Sequence, residues 1–373
     1  MVDYIEKMGL KKVINASGKM TILGVSKVSD EVATVQKIAG QNFFIMDELM
    51  AQSGAYLAKL LNVEDAQIVA SASAGIVQCV AAVIGGGSMT HLYHPYDPRI
   101  KENREIVIPK GHNIDYGTPI ELMITQGGGV LCEAGYGNIC TAEHMRQKMT
   151  DQTAAILYVK SHHTVQKGML SVEEVVELAK EYQLPLIIDA AAEEDLFRYT
   201  QAGADLVIYS GAKALEGPSS GLVIGKKKYI QWVRLQSKGI GRSMKIGKEN
   251  IFGLVQATQQ YVEIGPETGE VMLRRLEPFI EKLNTIEGIT ANITQDVVRK
   301  NIYRGSVKIH KEIIQKVIEA QQSGDPAIYT RNYQAHDGII EYDIRSVNDD
   351  EMNQIVTRLR EIMENLAPKN ETP

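Results

Sequence analysis

The sequence is poor in cysteine, in proline and in long apolar runs, and each shortage argues against a class of protein. Its 373 residues include 3 cysteines, 11 prolines and 1 tryptophan. The cysteines (Cys79, Cys132 and Cys140) form no Cys-x-x-Cys pair and no even set, which favours a reduced, cytoplasmic setting over a disulfide scaffold. No apolar run is long enough to span a bilayer, and the opening MVDYIEKMGLKK lacks the apolar core of a signal peptide. We therefore expect a cytoplasmic protein that does not cross a membrane.

An excess of basic charge is also lacking. Lys and Arg number 40 against 46 Asp and Glu, for a formal net charge of −6. That balance argues against a general nucleic-acid binder, whose surface is normally basic. The remaining composition, 44% hydrophobic and 23% charged, is ordinary for a globular protein. The length suits two domains with a sizeable core.

Residues 45–255 alternate short apolar runs with amphipathic stretches. This pattern predicts a mainly parallel sheet covered by helices on both faces. The predicted strands are Ile68–Ala70, Glu105–Ile108, Glu121–Ile124, Val130–Glu133, Ala155–Val159, Leu184–Ile188, Leu206–Ser210 and Leu222–Ile224. After about residue 255 the pattern changes to that of a smaller α+β domain, with a long amphipathic stretch at Tyr261–Ile286 and a last helix at Asp349–Leu366. We predict a large domain at 21–255, a small domain at 256–373, and an N-terminal segment, 1–20, that packs on the small domain.

Polar residues follow three of the predicted strands. Ser71-Ala-Ser-Ala-Gly75 opens a helix, so its hydroxyls and N–H groups suit an anion. Asp189 ends one very apolar strand, and Lys213 follows the next. In such sheets ligands bind at the carboxyl ends of the strands. An anion cup, a carboxylate and a lysine are what pyridoxal 5′-phosphate (PLP) requires, for its phosphate, its pyridine nitrogen and its Schiff base respectively.

Other cofactor motifs are incomplete. Gly221–Lys227 has too few residues between its glycines for a phosphate-binding P-loop and lacks the Ser or Thr. The pairs His91/His94 and His162/His163 have no Cys or carboxylate at supporting spacing, so no metal site is expected.

The lysine segment Asp205-Leu-Val-Ile-Tyr-Ser-Gly-Ala-Lys-Ala-Leu-Glu-Gly-Pro-Ser-Ser-Gly221 resembles that of a known family. The family is the bacterial selenocysteine synthase (seryl-tRNA selenium transferase) family of fold-type-I PLP enzymes. Three further blocks are similar in the same order: Val13-Ile-Asn-Ala-Ser-Gly18, Ile108-Pro-Lys-Gly-His112 and Tyr158-Val-Lys-Ser-His162. Within the family the chain most resembles the D-glucosaminate-6-phosphate ammonia-lyase branch. The resemblance implies the PLP-dependent transferase fold type I and a homodimer or higher homo-oligomer.

Two departures from the selenium transferases bear on the substrate. Those enzymes carry an additional N-terminal tRNA-binding region, whereas here the Ile-Asn-Ala-Ser-Gly block begins at residue 14. Their Gly/Ser-rich segment after the strand aspartate is replaced by Ala190-Ala-Ala-Glu-Glu194, and Glu216 stands in the lysine block. Both departures favour a small-molecule substrate over tRNA.

The resemblance also implies roles for individual residues. Lys213 would carry the Schiff base and Asp189 would pair with the pyridine nitrogen. The cofactor phosphate would lie against Ser73, Ala74, Gly75 and Ser210. His112 would stack on the cofactor ring, the alternative being a loop histidine bonded to backbone, and His162 would reach the cofactor O3′ or the substrate.

Basic residues supply candidates for the substrate. Residues 226–248 hold eight Lys or Arg and no Asp or Glu. Arg242, Lys245 and Lys248, on a glycine-rich backbone, suit a substrate phosphate. Arg331 and Arg345 are candidates for the substrate carboxylate, with a surface salt bridge as the alternative.

The implied reaction is a PLP-dependent α,β-elimination from a phosphorylated amino-sugar acid. Its products would be a 2-keto-3-deoxy sugar-acid phosphate and ammonia. The general acid for the leaving hydroxyl stays open between Lys213, a histidine and the cofactor phosphate. The alternatives are a selenium-transferase-like β-replacement on seryl-tRNA and a non-catalytic PLP-fold binding protein.

Overall fold

The structure, a computed structural model, describes residues 4–100, 103–161, 163–297 and 299–366. Its strands are β1 (Val13–Ala16), β2 (Asp65–Val69), β3 (Glu105–Pro109), β4 (Val130–Ala134), β5 (Thr153–Val159), β6 (Leu186–Asp189), β7 (Leu206–Ser210), β8 (Gly221–Gly225), β9 (Thr290–Gln295), β10 (Tyr303–Lys308), β11 (Ala327–Thr330) and β12 (Ile339–Tyr342). Its helices are α1 (Tyr4–Lys7), α2 (Asp30–Gly40), α3 (Met46–Leu60), α4 (Ala72–Gly85), α5 (Met89–Tyr93), α6 (Ile120–Gln126), α7 (Ala142–Arg146), α8 (Val172–Tyr182), α9 (Arg198–Ala202), α10 (Lys227–Leu235), α11 (Lys248–Ile264), α12 (Gly269–Leu283), α13 (Ile314–Ser323) and α14 (Asp349–Leu366).

The chain forms two units, residues 28–265 and residues 1–27 with 266–373. The larger unit contains a seven-stranded sheet in the order β2-β8-β7-β6-β5-β3-β4. Strand β8 runs antiparallel to both of its neighbours, and the other adjacent pairs are parallel. The predicted mainly parallel α/β sheet is confirmed. The larger unit extends to Gly265 because α11 continues to Ile264.

Each face of this sheet has its own apolar core, because successive side chains of a strand point to opposite faces. In β6, Leu186 and Ile188 belong to one core and Ile187 belongs to the other. Helix α8 covers the first face and α4 covers the second. Strands that are buried on both faces have to be apolar throughout, as these are.

The parallel strands bring the predicted site residues to one edge. Strands β2, β3, β5, β6 and β7 run in the same direction, so their carboxyl ends share that edge. Ser71 follows β2, His112 follows β3, Asp189 ends β6 and Ser210 ends β7. This edge is therefore the one that can bind a ligand.

One predicted strand is wrong. Glu121–Ile124 lies inside helix α6, where Ile120, Met123 and Ile124 are buried at helical spacing against the core that α4 covers. The amphipathic stretch Tyr261–Ile286 is also interrupted. Helix α11 ends before Gly265, which has φ +79°, and Thr268 caps the start of α12 by accepting from the Val271 N–H.

The smaller unit has a three-stranded antiparallel sheet, β12-β10-β9, and a parallel pair formed by β1 and β11. Helices α12, α13 and α14 pack on these strands around a core that includes Ile14, Phe279, Val317, Ile340 and Leu359. The last helix spans the predicted residues Asp349–Leu366. Across the described ranges of both units, no helix is long and apolar enough to cross a membrane.

Candidate active site

The segment predicted to form an anion cup lies at the start of helix α4, and it leaves a different set of donors available from the one implied. Ser71 is the N-cap, and its Oγ accepts a 3.0 Å hydrogen bond from the Ala74 N–H. The Gly75 N–H donates to the Ser71 carbonyl at 2.9 Å. Two of the predicted donors are therefore bonded within the first turn. The first N–H groups of a helix, here those of Ala72 and Ser73, have no partner inside it, and they lie beside the Ser73 hydroxyl at the positive end of the helix.

Gly75 has a packing role. A Cβ atom on Gly75 would lie 2.9 Å from Cγ2 of Ile208 in β7, which is closer than real Cβ atoms come. The missing side chain lets α4 approach the sheet, and so places Ser73 at the edge where Asp189 and Ser210 end their strands.

Asp189 and Lys213 form the charged centre of the site. Asp189 is buried, and its Oδ1 accepts a 3.0 Å hydrogen bond from the Ala191 N–H. Burial raises the pKa of Asp189 to about 6, although the Ala191 hydrogen bond and the charge of Lys213 oppose the rise. Burial lowers the pKa of Lys213, and the charge of Asp189 opposes that shift. Burial thus favours the neutral form of each group, and the opposite charge of the other group favours the charged form.

A tight loop after β7 holds Lys213. The Gly211 N–H donates to the Ser220 carbonyl at 2.9 Å, and the Gly217 N–H donates to the Gly211 carbonyl at 2.8 Å. A Cβ on Gly211 would lie 2.1 Å from Oγ of Ser220, so only glycine fits where the loop closes. The Lys213 N–H donates to the carbonyl of Ser210 at 3.4 Å, which keeps the lysine next to the end of β7.

His112 is more deeply buried than its implied stacking role suggests. Its side chain has no exposed surface, and its Nδ1 accepts a 3.3 Å hydrogen bond from the Val159 N–H. The ring meets Tyr158 edge-on at 4.4 Å between centroids. Burial lowers the pKa of His112 to about 4, against the opposing effect of a backbone hydrogen bond at Val165, so the imidazole is neutral at pH 7. His162, the other histidine implied at the cofactor, lies outside the described residues.

Tyr116 lies next to Ser73 and is a further candidate for the site, which the sequence analysis did not name. Its phenol oxygen lies 3.5 Å from Oγ of Ser73 and 3.1 Å from Sδ of Met123. Burial raises its pKa, and the charge of Asp189 adds to the rise. An available signal was the segment Asp115-Tyr-Gly117, a turn sequence that carries an aromatic residue just beyond the end of β3.

The three basic residues predicted to bind the substrate phosphate differ in their exposure and in their hydrogen-bond partners. The Lys248 ammonium donates to the carbonyls of Gly40, at 3.2 Å, and of Asn42. Arg242 and Lys245 are exposed, and neither side chain forms an ion pair within the described ranges.

The segment that carries Arg242 is anchored to the helix of the anion cup. Arg242 belongs to a short 3-10 helix, Ile240–Met244, that packs against α4. A Cβ on Gly241 would lie 2.7 Å from Oε1 of Gln78, so glycine permits this close packing.

Both candidate carboxylate-binding arginines lie in the smaller unit and have acidic partners. Nε of Arg331 is 3.4 Å from Oε2 of Glu341. Arg345 binds Asp343 through two hydrogen bonds, Nε to Oδ1 at 2.9 Å and Nη2 to Oδ2 at 2.8 Å. The buried Arg304 also binds Asp343, at 3.2 Å.

The Val13–Gly18 block lies beside this ion cluster. A Cβ on Gly18 would stand 3.1 Å from Oδ2 of Asp343, and Gly18 has φ +93°. The Asp343 N–H donates to the Ala16 carbonyl at 2.8 Å. Gly18 therefore permits a close approach of this block to the Asp343 carboxylate.

Comparison with known proteins identifies the family. The family described as SelA, L-seryl-tRNA selenium transferase, matches residues 13–321. The chain belongs to this family. The resemblance of the lysine segment is confirmed.

The relatives within the family have different activities. The chain is 44% identical over 369 residues to D-glucosaminate-6-phosphate ammonia lyase of Salmonella typhimurium, covering 98% of this chain and 99% of that protein. It is 35% identical to 5′-C-glycyluridine monooxygenase-decarboxylase of a Streptomyces species, covering 96% and 91%. The L-seryl-tRNA(Sec) selenium transferase of Alkaliphilus metalliredigens is more distant, at 25% over 75% and 62%.

The fold agrees with solved structures. The structure of D-glucosaminate-6-phosphate ammonia-lyase superposes with a TM-score of 0.92 at 42% identity, covering 98% of this chain and 99% of that one. Thermus thermophilus aspartate aminotransferase shares the fold alone, with a TM-score of 0.51 at 14% identity over 96% and 94% of the two chains. The predicted PLP-dependent fold type I is confirmed, and the family and fold indicate PLP as the cofactor.

The residues at the sheet edge fit this cofactor. A buried carboxylate suits a protonated pyridine nitrogen, and a partly buried lysine of lowered pKa suits a covalent bond to an aldehyde. The Ser73 hydroxyl and the first N–H groups of α4 suit a phosphate. No group of three or more potential metal ligands occurs within the described part of the chain.

Proposed function

We propose that this chain is a PLP-dependent ammonia-lyase that acts on D-glucosaminate 6-phosphate. The products are 2-keto-3-deoxygluconate 6-phosphate and ammonia. The observation that carries the proposal is the Asp189–Lys213 pair at the carboxyl edge of the sheet, in a chain 44% identical over nearly its full length to an enzyme of that name.

Bound PLP supplies an electron-withdrawing ring that weakens the Cα–H bond of an attached amino acid. Asp189 would keep a proton on the pyridine nitrogen of bound PLP, because a buried carboxylate with one backbone hydrogen bond is best compensated by a cation. Lys213 would hold the cofactor covalently. Its amine would also take the α-proton of the substrate, a task that its lowered pKa supports.

The substrate's two anionic groups need cationic partners. We assign its phosphate to Arg242 and Lys245, whose side chains are exposed. We assign Lys248 a structural role, because its ammonium already donates to the backbone carbonyls of Gly40 and Asn42. Arg345 is assigned to the carboxylate, since Asp343 fixes its orientation, and Arg331 is the second candidate.

We also propose that the chain works in the cytoplasm as a homodimer or larger homo-oligomer. Phe43 is fully exposed and Ile45 is 71% exposed, directly before α3. Exposed apolar groups of this size often mark an interface. Light scattering of the active protein tests this, and a fully active monomer would contradict it.

The substrate assignment is tested by comparing two sugar acids. Purified protein with PLP is given D-glucosaminate 6-phosphate or D-glucosaminate, and the released 2-oxo acid is measured. We expect a higher kcat/KM for the phosphorylated acid. Equal values for the two acids would show that the enzyme does not recognise the substrate phosphate. Selenium-transferase-like activity would instead require tRNA binding that weakens steeply as salt rises. A non-catalytic protein would turn over neither acid.

A further inference from the structure

Tyr116 is presented to the active-site edge by a closed turn between β3 and α6. The Gly117 N–H donates to Oδ1 of Asp115 at 2.8 Å, and the Ile120 N–H donates to the Ile114 carbonyl at 3.1 Å. Gly117 has φ +108°, a conformation that favours glycine. The Tyr116 and Ile114 side chains pack against the core that α4 covers. The position of the phenol is therefore set by the backbone of the turn and by apolar packing.

The phenol has poor hydrogen-bond partners for a half-buried group. The nearer one, Sδ of Met123 at 3.1 Å, is a weak acceptor. The other, Oγ of Ser73, lies at 3.5 Å, the limit of a hydrogen bond. Because burial raises the pKa of Tyr116, the phenol keeps its proton at neutral pH and remains a donor.

An anion beside Ser73 would satisfy this donor. A phosphate accepts several hydrogen bonds at once, and those from neutral donors to an anion are stronger than those between neutral groups. Tyr116 contacts Ser73, and the charge of Asp189 affects its pKa, so the phenol lies close to residues that fit the cofactor.

We propose that Tyr116 binds the phosphate of PLP, donating its phenol proton to a phosphate oxygen alongside the Ser73 hydroxyl. The proposal rests on the proposed function, because it takes PLP as the resident cofactor. It makes Tyr116 a cofactor-binding residue rather than the general acid for the leaving hydroxyl.

The test is the affinity of the cofactor-free enzyme for PLP and for pyridoxal, which lacks the phosphate. Binding at Lys213 is followed by visible absorbance. We expect Tyr116→Phe to raise the Kd for PLP about ten- to a hundredfold, the usual effect of losing a hydrogen bond to a charged group. Its Kd for pyridoxal should stay at the wild-type value. Ser73→Ala should show the same selectivity for the phosphate.

Two controls separate this role from a structural one. Tyr342→Phe removes a buried phenol that bonds to Gln321 at 3.1 Å in the smaller unit, and should change neither Kd. Thermal unfolding of the cofactor-free variants checks their folding. If Tyr116→Phe unfolds, Tyr116→Gln keeps a donor in the turn and should lose less PLP affinity than Tyr116→Ala.

Three results bear on the two proposals differently. An unchanged Kd for PLP in folded Tyr116→Phe overturns the phosphate role. Equal losses for PLP and pyridoxal also overturn it, since they indicate contact with the ring. If the wild-type protein binds neither compound at Lys213, the proposed function itself fails.

Discussion

The carboxylate of Asp189 and the amine of Lys213 attract each other at the edge of the sheet, while burial favours the neutral form of both. Burial is the larger effect at both groups, since it raises the pKa of Asp189 to about 6 and lowers the pKa of Lys213. A buried carboxylate suits a cationic ring nitrogen, and a lowered pKa suits a lysine that reacts as an amine. A first consequence of this arrangement is a pH dependence of folding stability.

Asp189→Asn should stabilise the cofactor-free protein at neutral pH. The pKa of Asp189 is about 6 in the folded protein and about 4 in the unfolded chain. Between about pH 4 and pH 6 the folded protein therefore binds more protons than the unfolded chain, and the free energy of unfolding falls as the pH rises through this range. Above pH 6 the buried charge costs up to about 3 kcal/mol, which the amide does not incur. Urea unfolding at pH 8 should favour the variant, and the difference should shrink toward pH 4. A more stable wild type at pH 8 would show that the charge is stabilising.

Gly75→Ala should lower stability by about 1–3 kcal/mol, because its Cβ would overlap Ile208 at 2.9 Å and push α4 away from β7. The comparison is Gly137→Ala, where a Cβ meets nothing within 4 Å. Urea midpoints of the two cofactor-free variants measure the difference. Equal midpoints would mean that α4 does not need glycine for its approach to the sheet.

Arg242→Ala and Lys248→Ala should have different effects. Loss of Arg242 should raise KM for D-glucosaminate 6-phosphate about tenfold or more, the usual cost of one charge-assisted contact, with little change for the unphosphorylated acid. Loss of Lys248 should lower thermal stability, because the carbonyls of Gly40 and Asn42 lose their donor. Steady-state kinetics on both acids, together with melting curves, distinguish the two. A phosphate-selective KM effect in Lys248→Ala instead would reverse the assignments.

Asp343→Asn should destabilise the protein by about 1–3 kcal/mol at pH 7, since it removes the carboxylate that pairs with Arg345 and leaves the buried Arg304 with its 2.8 Å pair to Asp296. Burial alone would raise the pKa of Asp343, yet Arg345 and Arg304 hold it well below its usual range. The stabilisation is therefore present at neutral pH and lost only in strong acid. Glu341→Gln, at a half-buried ion pair with Arg331, is the control and should cost less than about 1 kcal/mol. Similar losses in the two variants would contradict the cluster's role.

The strands and their terminal residues could be predicted from sequence because burial on both faces demands continuous apolar runs. Asp189 ends one such apolar run and Lys213 follows another, so both residues could be recognised as site candidates from the sequence. The wrong strand prediction at Glu121–Ile124 has a physical reason. Four residues of mixed polarity fit the two-residue period of a strand as well as the 3.6-residue period of a helix. Only the burial of Ile120, Met123 and Ile124 on one side shows the helix.

The details of the cup were less predictable. The Ser71 hydroxyl accepts the N–H of Ala74 as a cap, so the donors left for a phosphate begin at Ala72, one residue before the first of the implied set. Tyr116 and Ser73 are 43 residues apart in the sequence. Their contact depends on the direction of the turn that carries Tyr116, which no local sequence pattern specifies. The partners of Lys248, the carbonyls of Gly40 and Asn42, likewise depend on tertiary packing.

The central claim is most directly tested by the stoichiometry of the reaction under argon. Wild-type protein with PLP should release equal amounts of ammonia and 2-oxo acid from D-glucosaminate 6-phosphate, with no need for oxygen and no carbon dioxide. Lys213→Ala, folded as judged by its melting curve, should release neither and lack the visible absorbance of bound cofactor. Turnover that requires oxygen and releases carbon dioxide, as the name of the 35%-identical relative implies for that protein, would contradict the ammonia-lyase assignment. Full turnover by Lys213→Ala would contradict the site itself.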